Sequence, residues 1–174
     1  MAANLQFITS FQITSSQETT DLDNIFTTEY DVYQIVFTGF ATVGTSDGNI
    51  NMRVIDDSGT LDSDNVYEYS VLETRADTSF SENKNTGFSR MDRLMKIDQA
   101  PDGQSSVLYV MNPKSSSTYT FFQWQSSGRF SGQNRGFKGI AMHGVAEAIR
   151  GIRIFEVNTG RPYDRGNIAI YGVK

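Results

Sequence analysis

The chain has 174 residues, a formal net charge of −5, a single His and no Cys. Without Cys there are no disulfides, thiolate nucleophiles or sulfur-built iron and zinc centres, and one His excludes a multi-His metal site. With 15 Lys and Arg against 20 Asp and Glu, it lacks the basic excess that a phosphate backbone demands, so nucleic acid is not an expected partner. Twelve Phe, eight Tyr and one Trp supply the apolar mass for one self-sufficient domain over residues 1–174. No apolar run approaches the ~18 residues that span a bilayer. The opening Met1 to Phe7 lacks the basic and apolar segments of a secretion signal, so the chain reads as made and used without secretion or membrane insertion.

Along the chain the apolar pattern has period two. Leu5, Phe7, Phe11 and Ile13 fall on odd positions between polar residues, which predicts a strand with one buried face; Ile8 interrupts it and marks a bulge. The polar stretch Thr14 to Asp23 reads as a loop. Tyr33, Ile35 and Phe37 share one parity while Val32, Val36 and Phe40 share the other, which predicts a strand covered on both faces. Ile50, Met52 and Val54 alternate cleanly. Val66 to Leu72 and Met91 to Ile97 fit either strands or single helical turns, and Ser79 to Thr86 reads as a second polar loop. Val107 to Met111, Tyr119 to Gln125 (aromatic on both faces), Phe137 to His143, Gly151 to Phe155 and Asn167 to Val173 complete the predicted strands. Asp47-Gly48, Ser58-Gly59, Asp102-Gly103, Ser127-Gly128 and Thr159-Gly160 supply turn chemistry. The expected fold is all-β: an antiparallel, jelly-roll-like β-sandwich of about eight to ten short strands with little helix. On this reading Ile154→Asp and Phe121→Asp each bury a charge and unfold the domain.

No catalytic constellation stands out. Gly44-Thr45-Ser46-Asp47-Gly48 matches G-x-S-x-G by letter, but a strand pattern follows where a nucleophile elbow requires a helix. His143 has no identifiable partner and reads as structural or solvated. The acidic run Asp56 to Asp64 fails as an EF-hand, because Leu61 and Tyr67 stand where Gly and Glu are needed; an irregular calcium site there is the alternative to a solvated loop. Glu68, Glu73, Asp92, Asp98 and Glu147 are carboxylates that the sequence does not pair into a glycosidase site. The expectation is a protein without catalytic residues, metal or cofactor.

The most distinctive segment is Ser126 to Gly136, read as a long loop between strands. Its Arg129, Phe130 and Arg135 suit planar or anionic groups on a glycan or partner protein, and Arg161 and Tyr163 repeat the combination in a second loop. The plainer reading is a hairpin whose glycines permit a tight backbone. Arg129→Ala with Arg135→Ala is expected to leave the melting temperature nearly unchanged; unfolding by that pair would make the loop structural and remove the binding suggestion.

Five segments, taken in order, resemble a family of small β-sandwich proteins of tailed, often marine, bacteriophages. They are Tyr30 to Phe37, Arg53 to Gly59, Leu108 to Pro113 with Thr118 to Thr120, Gly151 to Phe155, and Gly166 to Lys174. Together they span residues 30–174, while Ser126 to Gly136 and Gly139 to Ala148 depart from the pattern. The resemblance implies a jelly-roll virion structural protein: a tail fibre or adhesin, or a capsid decoration knob. It brings no catalytic motif. Expected partners are other virion proteins, further copies of the chain in a homo-oligomer (a trimer, with the strand around 5–13 as a contact or anchoring element) and host surface glycans. The expected location is the virion, assembled in the host cytoplasm. A stand-alone carbohydrate-binding module and a glycan hydrolase are the competing readings.

Overall fold

A computed structural model describes residues 4–42, 48–77, 80–98, 103–130, 132–157 and 162–174. Within them the regular elements are all strands: β1 (Leu5–Ile13), β2 (Thr19–Leu22), β3 (Val32–Thr42), β4 (Gly48–Asp56), β5 (Tyr67–Arg75), β6 (Ser81–Phe88), β7 (Met91–Ile97), β8 (Gln104–Met111), β9 (Thr120–Phe130), β10 (Gln133–His143), β11 (Ile149–Glu156) and β12 (Tyr163–Val173). They form an antiparallel sandwich of two unequal sheets. The larger runs β1-β12-β3-β8-β9-β10-β5-β6 and the smaller β2-β11-β4-β7. Without the β5–β6 and β9–β10 hairpins, two four-stranded sheets remain, β1-β12-β3-β8 and β2-β11-β4-β7. Both hairpins enlarge the same sheet.

Both ambiguous stretches are strands, β5 and β7. Their alternate residues face the core: Tyr67, Tyr69 and Val71 on β5, and Met91, Met95 and Ile97 on β7. The core between the sheets is built from such residues, including Ile35, Phe37, Met52, Val54, Leu108, Phe122, Trp124, Ile154 and Ile170. Trp124 lies fully inside and donates its indole N–H to the Arg93 carbonyl at 3.0 Å. Its neighbour across the β9–β10 ladder is Gly139, where any Cβ would overlap the indole ring, so the glycine makes room for the Trp.

Several expectations are corrected. The register of β1 against β12 shifts between Phe7 and Thr9, so Ile8 does sit at a bulge. The extra residue flips parity: Phe11 and Ile13 turn inward, while Leu5 and Phe7 stay exposed despite sharing their odd numbering. Thr14 to Asp23 contains β2, and Ser79 to Thr86 contains most of β6. Both are polar edge strands, held by ladder hydrogen bonds and tied to the core by a single apolar side chain each, Leu22 on β2 and Phe88 on β6. Gly128 lies within β9 rather than in a turn; the β9–β10 hairpin closes later, at the Phe130–Gln133 pair, with Gly132 at φ +79°. Residues 44–47 of the G-x-S-x-G run lie outside the described residues; its last residue, Gly48, starts β4.

Phe121 is 42% exposed, so the expectation that a charge there is buried does not hold, whereas Ile154 is fully buried. Ile154→Asp is therefore expected to cost about 4 kcal/mol or more, and Phe121→Asp less than about 1 kcal/mol. Thermal melts of the two variants check this.

Candidate functional site

Three arrangements of side chains stand out, and all involve the added strands. The first lies on the inner face at one end of the β5–β10 pair. Glu73 of β5 is buried and is met by Arg75 Nε at 3.0 Å, Lys96 Nζ at 3.1 Å, Arg135 Nη1 at 3.2 Å and Arg93 Nη1 at 3.7 Å. Ser81 donates its hydroxyl to the same carboxylate at 3.2 Å. Phe130 lies under two of these cations, with Lys96 Nζ 4.6 Å and the Arg135 guanidinium 4.9 Å from its ring centre. Burial pushes the Glu73 carboxyl up, but the hydrogen bonds and charges of Arg75 and Lys96 outweigh it and bring it down to about 2. Neighbouring strands do the positioning: β5 and β10 pair Arg75 with Arg135, and β7 of the other sheet brings Arg93 and Lys96 across.

The second arrangement lies at the other end of the same strand pair. His143, fully buried, stands opposite Tyr67 and points Nε2 at Asp62 Oδ2, 2.7 Å away, with Glu147 Oε1 at 3.8 Å. Burial pushes the Glu147 carboxyl above its usual range; His143 opposes this, and the charges of Asp62 and Asp56 add to it.

The third is the outer face of the large sheet. Cross-strand pairing lines up Val32, Met111, Phe121, Met142, Glu68 and Thr86 in one row, and Gln34, Tyr109, Gln123, Ile140, Ser70 and Lys84 in the next. A third row holds Val36, Val107, Gln125, Lys138, Leu72 and Glu82. Phe121 and Ile140 are 42% and 59% exposed and line an open concavity of about 1030 Å³. A more polar groove of about 450 Å³ adjoins it, lined by Gln34, Tyr109, Gln123, Gln125, Ser105 and Ser127 among others.

Of the residues singled out from sequence, Phe130 and Arg135 come together in the Glu73 cluster. Arg129 projects into solvent from the opposite face of β9, while its carbonyl accepts from the Gln104 side chain. Tyr163 is fully buried: its hydroxyl meets Thr20 Oγ1 at 2.7 Å, and burial pushes its phenol up to about 12. It is a core residue of β12 and offers no surface to a ligand. Arg161 lies outside the described residues. Sequence reasoning noted Glu73 only as an unpaired carboxylate and missed Lys96 and Arg93, whose convergence on it depends on strand order. It also missed the Asp62–His143 pair, which joins two features noted separately.

No family model and no curated protein matches the chain. A solved structure of the infectious bursal disease virus Gx strain aligns over 98% of this chain and 37% of that chain, at 13% identity and a TM-score of 0.14, which is too weak to carry an argument. The chain thus spans little more than a third of that neighbour's length.

Arg135 is packed against Glu73, so the expectation that Arg129→Ala with Arg135→Ala is silent is revised. Arg135→Ala is expected to lower the melting temperature by several degrees and Arg129→Ala to leave it unchanged. Because the folded-state value of Glu73 is depressed, its contribution is present in full above its ordinary value of 4.5 and is lost as pH falls towards 2. Glu73→Gln is expected to melt lower than wild type at pH 7 and to lose less stability between pH 5 and pH 2. Melting curves across that window check the sign.

Proposed function

We propose that the chain is a non-enzymatic virion structural protein, displayed on a bacteriophage particle as a tail fibre or adhesin or as a capsid decoration knob, and that it acts by assembly and surface binding. The observation that carries this reading is the outer face of the enlarged sheet. Contiguous exposed apolar side chains, Phe121, Ile140 and Leu72 with Met111 and Met142 beside them, lie on a rigid ladder, a pattern that marks contact surfaces. Strand order supports it too. The nested pairing of β1 with β12, β2 with β11, β3 with β8 and β4 with β7 is the wrapping that a jelly roll produces, an architecture shared by viral capsid and lectin domains. The segments resembling small phage virion proteins fall largely on framework strands, whereas Ser126 to Gly136, which departs from them, lies in the β9–β10 addition. The copies assemble as a homo-oligomer, a trimer in this proposal, with the apolar face turned to a neighbour.

The polar groove beside that face favours a second reading, a stand-alone carbohydrate-binding module. Its amides and hydroxyls are neutral hydrogen-bonding groups set next to Tyr109, a lining suited to sugar hydroxyls.

Sedimentation velocity at micromolar concentration separates the two readings. Assembly predicts a wild-type oligomer that Phe121→Asp with Ile140→Asp converts to a folded monomer, melting cooperatively. A stable wild-type monomer that gives glycan-array hits would favour the carbohydrate-binding reading and count against assembly.

A further inference from the structure

The cluster at His143 goes beyond a docking surface. Asp62 comes from the connection between β4 and β5, His143 ends β10, and Glu147 lies in the connection between β10 and β11. One ligand-type atom from each, His143 Nε2 and a carboxylate oxygen of Asp62 and Glu147, lies within 4.8 Å of the others. Bonds of about 2.1 Å to a shared cation place ligand atoms roughly 3–3.5 Å apart, so gathering these atoms around an ion takes about an ångström of side-chain movement.

The surroundings prepare the set. Asp62 is fixed at its backbone and at one carboxylate oxygen: the Asp64 amide donates to Oδ1 at 2.9 Å, the Tyr67 hydroxyl donates to the Asp62 carbonyl at 2.9 Å, and the Asp62 amide donates to the Val54 carbonyl at 3.1 Å. Oδ2 is thereby aimed at the imidazole. The Tyr67 ring packs against the His143 ring, 5.2 Å between centres, and limits its rotation. Glu147 faces Asp62 and Asp56 as like charges, which a shared cation would offset. Two buried polar atoms also lack partners, His143 Nδ1 and Thr120 Oγ1, on residues directly opposite each other across the β9–β10 ladder. A metal-bound imidazole carries its proton on the far nitrogen and needs an acceptor there, a role that the Thr120 hydroxyl supplies by a small rotation or through one water.

We propose that His143 Nε2, Asp62 Oδ2 and Glu147 Oε1 bind one divalent transition-metal ion of the zinc class, which ties the β4–β5 connection to the β10–β11 connection. An imidazole nitrogen with two carboxylates suits such an ion; calcium, which takes six or more oxygen ligands, does not fit this set. In a chain without disulfides the ion acts as a staple at one end of the sandwich.

The test uses the full chain, stripped with EDTA and dialysed, then titrated with zinc chloride by calorimetry and thermal melting. Expected are one saturable equivalent, a rise in melting temperature of several degrees, and no comparable rise with calcium chloride at the same concentration. Glu147→Gln, at a partly exposed position, is expected to fold and to weaken zinc binding at least tenfold; Asp62→Asn is expected to do the same. The proposal is overturned if wild type shows no saturable zinc binding, if calcium stabilises it and zinc does not, or if Glu147→Gln binds zinc as tightly as wild type. Should Asp62→Asn fail to fold, Glu147→Gln alone decides.

Discussion

A sheet of four strands cannot cover a sheet of eight, and much of this molecule follows from that inequality. The framework strands β1, β12, β3 and β8 have four counterparts in the smaller sheet, while β9, β10, β5 and β6 extend beyond them. Their inner face is closed by β7, which contacts β9, β10 and β5, and by the bulk of Trp124 and Tyr67. At the two ends of the β5–β10 pair, roughly 25 Å apart along the strands, polar clusters finish the job. One gathers cations around Glu73, and the other sets His143 between two carboxylates. Each is a buried electrostatic arrangement in which removing one member leaves the others uncompensated, so both ends of the sandwich are fixed in detail.

Among the described residues, nothing packs over the outer face of the same extension, where Phe121 and Ile140 stay exposed. Alternation on β9 sends Phe122 and Trp124 inward and Phe121 outward, and ladder pairing then places Phe121 between Met111 and Met142. A rigid backbone thereby holds an apolar surface in a fixed shape at little conformational cost, the property an assembling or adhering module requires. The proposed function, the proposed metal staple and the fold share this origin: the added hairpins create the surface, and the polar clusters hold them in place.

The strand content was legible because burial on one face writes a period of two into the chain, as in Ile50, Met52 and Val54 or Ile168 and Ile170. Even the bulge at Ile8 showed as a break in that period. Its consequence, that Leu5 and Phe7 leave the core, was not legible, because parity counts residues and a bulge changes what the count means. The edge strands β2 and β6 were invisible for the opposite reason: with one core side chain each, Leu22 and Phe88, they carry little apolar signal. Of the site, Arg135 and Phe130 were found because they share a hairpin. Glu73 showed only as one of several unpaired carboxylates and Lys96 not at all, since only the pairing of β5 with β10 and the approach of β7 bring them together. Tyr163 misled because an aromatic beside Arg in a turn-rich segment looks like a surface contact, whereas here it begins a strand and fills the core.

Hydroxyl-radical footprinting, read by mass spectrometry on the dispersed protein and on assembled particles, tests the central claim most directly, because Met111, Phe121 and Met142 report on the outer face through their own oxidation. The account predicts that these three side chains are modified in the dispersed chain and protected in the assembly. Equal modification in both states, with protection confined to the opposite sheet around Asp21 and Arg153, would contradict it.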